Sequence, residues 1–70
     1  MATIAIVTIG ERIREERRKR LMTQDVLAAT AGISQKQLSL IENDEVDPRF
    51  STIRKIAQAL EVEPWDLTSD

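Results

Sequence analysis

Residues Ser34 to Asn43 read Ser-Gln-Lys-Gln-Leu-Ser-Leu-Ile-Glu-Asn, a run rich in neutral hydrogen-bonding groups. Wound as a helix at about 100° per residue, the run has a buried side defined by Leu38 and Ile41. Lys36, Ser39, Leu40 and Asn43 then point away, with Gln35 and Gln37 on the flanks. Amide, ammonium, hydroxyl and one apolar side chain on a single face match what the base edges of duplex DNA offer. Glutamine bonds bidentately to adenine, lysine reaches guanine acceptors, and an apolar group meets the thymine methyl. Each of these residue types is also an ordinary solvated surface residue, so the face taken alone leaves both readings open.

Other chemistries are poorly supplied. The 70 residues contain no histidine and no cysteine. That removes disulfides, thiolate nucleophiles and the two commonest transition-metal ligands. There is no phosphate-cradling glycine loop, and the carboxylates are scattered, with none paired in a predicted cleft. The expectation is a non-enzyme with no cofactor and no evident small-molecule ligand. No apolar run approaches the roughly 18 residues of a membrane span. The opening Met1 to Thr8 is too short and lacks the leading positive charge of a secretory signal, which makes cytoplasm the expected location.

Charge argues in two directions. Net charge is −2 with a pI near 5.1, against the cations that phosphate binding needs. The distribution is uneven, however. From Glu11 to Leu40 seven Lys/Arg face four Asp/Glu, whereas from Ile41 to Asp70 three face eight. A field set up at one end of a molecule acts on a partner independently of the total.

The elements that position the polar face are announced by helix starts. Thr8 to Glu11 has the capping-box form, and so does Ser34 to Gln37; Thr23 is an N-cap candidate between them. The first helix is expected from about Ile9 to Arg20, with a thin apolar stripe. The second starts at Gln24 and stops near Ala31, because Gly32 suits a left-handed C′ position. Met22 with Leu27, and Ile33 with Leu38, are spaced as hydrophobic staples. The third helix runs from Gln35 to about Asn43. Asp44 to Pro48 is a loop, since the residue before proline avoids helical backbone. The fourth covers about Arg49 to Leu60, with Asp47 and Pro48 as N-cap and N1 and Phe50, Ile53, Ile56, Ala57 and Leu60 on its core side. A last turn, Pro64 to Leu67, lays Trp65 and Leu67 over the core. Small Ala28 and left-handed Gly32 allow the second and third helices to meet tightly.

The sequence resembles the phage-repressor and Cro-like (XRE) helix-turn-helix regulators without a gap from Ile9 to Leu67. The matching residues are Ile9 to Arg14, Arg17, Met22 to Gln24, Leu27, Ala28, Ala31 to Ser34, Leu38, Ile41 to Asn43, Pro48, and Ile53 to Leu60. The resemblance implies an all-α, lambda-repressor-like bundle of about five short helices with the helix-turn-helix at helices 2 and 3. It makes residues 9–70 a DNA-binding domain and leaves 1–8 as an arm, flexible or pairing with a second subunit. It also implies a transcriptional regulator, a repressor working as a homodimer on double-stranded DNA, with the third helix in the major groove. Gln35, Lys36, Gln37, Ser39 and Leu40 then contact bases. Gln24, Ser34, Asn43, Arg49, Lys19 and Arg20 contact phosphates, with Gln24 also steadying Gln35. Arg17 and Glu42 form a structural ion pair. The chain departs from the pattern at Glu16, at Leu21 and Asp44 where glycine is frequent, and in the acidic loop Asp44, Glu45, Asp47. Two alternatives share the fold: a protein-binding adaptor that does not bind DNA, and an antitoxin or restriction-system controller.

Overall fold

The structure is a computed structural model and describes residues 7–68. Most of the arm at 1–8 therefore lies outside the described residues. The chain forms α1 (Ile9–Lys19), α2 (Gln24–Ala31), α3 (Gln35–Glu42), α4 (Phe50–Leu60) and α5 (Pro64–Thr68), with no strand among the described residues.

Three of the starts are built as the sequence predicts. The side-chain oxygens of Thr8, Thr23 and Ser34 accept from the backbone amides of Glu11, Val26 and Gln37, each satisfying one of the amides a helix leaves unpaired. Gly32 ends α2 at φ 75°, and the amide of Ile33 reaches back to the Ala28 carbonyl at 3.0 Å. The chain thus turns from α2 into α3 across three residues. A side chain at Gly32 would meet nothing within 4 Å, so this glycine supplies the left-handed turn, while Ala28, 2% exposed, supplies the small surface.

Leu27, Leu38, Ile41, Ile56, Leu60 and Leu67 close around Ile13, the single large buried residue of α1. Helix α2 packs on α3 and α4, and α1 lies across α3, α4 and α5. The crossing of α1 on α3 is close. A Cβ on Gly10 would run into the backbone carbonyl of Ile41 and stand 2.9 Å from that of Glu42. Backbone cannot yield as a side-chain tip does, so Gly10→Ala must lift α1 off α3. A loss of about 2–3 kcal/mol is expected, in the range of an overpacked core, seen as a lower denaturant midpoint.

Three glycine-like turns are made without glycine. Leu21 closes α1 at φ 55°, Asp44 closes α3 at φ 59° and Glu61 closes α4 at φ 59°. Leu21 is 93% exposed, so its side chain returns no packing for the strain of left-handed backbone. Leu21→Gly is expected to stabilise by roughly 0.5–1 kcal/mol after the larger unfolded-state entropy of glycine is subtracted, raising the Tm by about 2–4 °C.

Three sequence expectations are corrected here. Phe50 is 64% and Trp65 61% exposed, not core. Phe50 stands about 70° from the centre of the buried arc of α4, at the helix's open first turn. Trp65 and Leu67 are about 200° apart on a one-turn helix, and Leu67, fully buried, takes the inward side. Asp47 does not cap α4. The chain stays extended through Arg49 (φ −69°, ψ 154°), which is the N-cap without a side-chain bond.

Candidate nucleic-acid interface

The outer face of α3 is held by a buried carboxylate. Glu42 is 1% exposed, and Arg17 grips it bidentately with one edge of the guanidinium, Nε to Oε2 at 2.8 Å and Nη2 to Oε1 at 3.0 Å. Gln24 Nε2 donates to Oε1 at 3.1 Å, and Arg14 Nε stands 3.6 Å from it. Arg17 Nη1 also reaches the Met22 carbonyl at 2.9 Å. One residue of α3 is thereby tied to α1, to the α1–α2 turn and to the first turn of α2. The predicted Arg17–Glu42 pair is present. Gln24 lies beside it, with its amide nitrogen committed to Glu42 rather than to Gln35.

Burial pushes the Glu42 carboxyl up, but the hydrogen bonds from Arg17 and Gln24 and the charges of Arg17 and Arg14 outweigh it, leaving it below its ordinary value. The folded state therefore binds fewer protons at Glu42 than the unfolded state, and this stability is present above the unfolded value and lost as pH falls through the folded one. The Tm gap between wild type and Glu42→Gln is expected to be widest at neutral pH and to close as pH falls below the ordinary glutamate range, in melts across an acid series.

Arg14 is a residue that sequence reasoning missed. Its Nη2 donates to the Glu42 carbonyl at 2.9 Å and to Asn43 Oδ1 at 2.7 Å, capping the C-terminal end of α3, where carbonyls lack helical partners. The signal was available, because Arg14 and Arg17 are three apart and share one face of α1. Asn43, expected at phosphate, is thus held by α1 through its carbonyl oxygen. Asp44 turns its carboxylate to the start of α1 and accepts from Thr8 Oγ1 at 2.7 Å.

On the opposite side, Gln35, Lys36 and Gln37 are exposed, while Ser39 and Leu40 are half-buried. Leu40 was expected to be open. Instead it lines a groove of about 380 Å³ between α3 and the loop before α4. Ser34, Lys36 and Gln37 line the α3 side; Val46, Asp47 and Arg49 line the other. Five of the predicted contact residues thus border one concavity.

The cations at the end of α1 are less free than the sequence suggests. Arg20 Nη1 bonds Glu16 Oε2 at 2.6 Å and the Glu16 carbonyl at 2.9 Å, and Lys19 Nζ lies 3.5 Å from Glu16 and 3.8 Å from Glu15. The Arg20 bond is the main cause holding the Glu16 carboxyl below its ordinary value. Glu16, which replaces an apolar residue of the family pattern, serves as their local counter-ion.

A short α2, a left-handed glycine and a third helix with its polar side outward define a helix-turn-helix, and the helix-turn-helix family profile matches residues 13–64. The chain belongs to that family. The immunity repressor protein of Bacillus phage phi105 is 39% identical over 57 residues, covering 81% of this chain and 40% of the repressor. Among solved structures, the restriction-modification controller protein C.AhdI from Aeromonas hydrophila matches with a TM-score of 0.84 and 31% identity, covering 87% of this chain and 92% of that one. The P22 c2 repressor protein, solved in complex with synthetic operator 9T, matches with a TM-score of 0.80 and 32% identity, covering 86% and 91%. The chain spans about 40% of the length of the curated relatives it matches. No helix among the described residues is long and apolar enough to cross a membrane.

Proposed function

We propose that this chain is a sequence-specific double-stranded DNA-binding transcriptional regulator, a cytoplasmic repressor that acts as a homodimer with α3 in the major groove. The observation that carries the reading is the groove joining the outward side of α3 to the start of α4, rimmed by Lys36 and Arg49. Gln35, Lys36, Gln37, Ser39 and Leu40 read base edges. Ser34, Asn43 and Arg49 hold phosphates alongside, as does Gln24 through the second amide N–H that its bond to Glu42 leaves over, with Lys19 and Arg20 reaching the backbone once phosphate competes with Glu16 for them. The Arg17–Glu42 pair and Arg14 position α3 rather than bind. The likeness to a phage immunity repressor and to a repressor solved on its operator supports this reading.

Two copies are proposed because one short helix contacts few bases, and two half-sites about one helical turn apart (~34 Å) add their free energies. Trp65, exposed on α5, is a large apolar surface such pairing would cover. A second reading, controller of a restriction-modification system, is favoured by the match to C.AhdI over nearly all of that chain; it shares the same DNA chemistry.

Selection of bound duplexes from a random pool tests the proposal. Enrichment of a two-fold motif with half-sites one turn apart is expected. A pool that stays unenriched would overturn it and favour the protein-binding adaptor.

A further inference from the structure

We infer that Val46, in the acidic loop, is a second element of sequence readout: with Leu40 it forms an apolar slot that takes the C5 methyl of a thymine in each half-site. The inference rests on the DNA-binding reading above and adds to it a residue outside the recognition helix. The slot is where two chain segments meet. Leu40 comes from α3 and is half-buried, while Val46 comes from the loop and is 41% exposed. Pro48 closes the same side of the groove.

The surroundings select the occupant. Lys36 and Gln37 border the slot on α3, and Arg49 borders it from the start of α4. These are groups that engage guanine, adenine and phosphate. Among the edges exposed in the major groove, the thymine C5 methyl is the distinctive apolar group, so an apolar slot among polar contacts matches a thymine rather than another base. Asp47 lies on the same rim. Its carboxylate repels phosphate oxygens, which favours turning this part of the loop to base edges and leaving the backbone to Arg49.

Atomic deletion of the methyl tests the inference directly. In the duplex recovered by selection, each thymine is replaced singly by deoxyuridine, and affinity is measured at fixed salt. Wild type is expected to lose about fourfold at one symmetry-related thymine per half-site, the transfer worth of one methyl group, and to be indifferent elsewhere. Val46→Ala, exposed and so expected to melt as wild type does, should bind the thymine duplex more weakly. Its thymine-to-uracil ratio at that position should fall below twofold, and Leu40→Ala should lower the ratio in the same way. The inference is overturned if no thymine methyl matters, or if Val46→Ala keeps the full fourfold ratio. Failure to bind any duplex would instead remove the DNA reading itself, before the thymine comparison begins.

Discussion

Arg17→Ala is expected to destabilise the fold by about 3–4 kcal/mol. The substitution removes both hydrogen bonds to a carboxylate whose side chain is 0% exposed, leaving a buried charge short of partners, the situation in which breaking one member of an ion pair costs most. It also strips the Met22 carbonyl of its guanidinium donor. Arg14 and Gln24 still face Glu42, which keeps the loss from being larger. Arg17 itself is only 12% exposed, so the discount that applies to surface pairs does not apply here. For a domain whose whole stability is on the order of 5–15 kcal/mol, this lowers the Tm by 12 °C or more at about 4 °C per kcal/mol. Arg17→Lys keeps the charge but not the bidentate grip, and recovers only part. Urea titration of the three proteins measures the difference. A loss below about 1 kcal/mol for Arg17→Ala would mean that Arg14 and Gln24 suffice to satisfy Glu42.

Much of the fold was legible because its signals are local. Helix starts at Thr8, Thr23 and Ser34 follow from a side-chain oxygen placed before an apolar run, and the end of α2 follows from Gly32. The Arg17–Glu42 pair came from family resemblance, since 25 residues separate the partners and no periodicity links them. What escaped depended on how elements meet. Gly10 reads as an unremarkable helical glycine until α3 is laid across it. Arg14 and Val46 acquire roles only once α1 and the acidic loop are set on either side of α3. Apolar content misled at Phe50 and Trp65, because Phe50 sits at the open first turn of α4 and the inward side of the one-turn α5 is taken by Leu67. Within the acidic loop, which departs from the family pattern, Asp44 is committed to Thr8, a contact that no local signal announces.

The central claim is that the outward side of α3 reads bases, and Gln35→Ala combined with Lys36→Ala carries the second large effect. Both side chains are exposed and neither belongs to the network around Glu42, so the fold should be untouched and thermal melts should coincide with wild type. A good base contact is worth about 1–3 kcal/mol of discrimination, so removing two should cost about 2–6 kcal/mol on the cognate duplex. Binding to unrelated duplex, which depends on phosphate contacts, should change little apart from any share carried by the Lys36 charge. The decisive measurement is therefore the ratio of cognate to non-cognate affinity for wild type and for this double variant, at one salt concentration. The ratio is expected to fall by at least about thirtyfold while the melt is unchanged; an unaltered ratio in a folded variant would show that this face does not read bases.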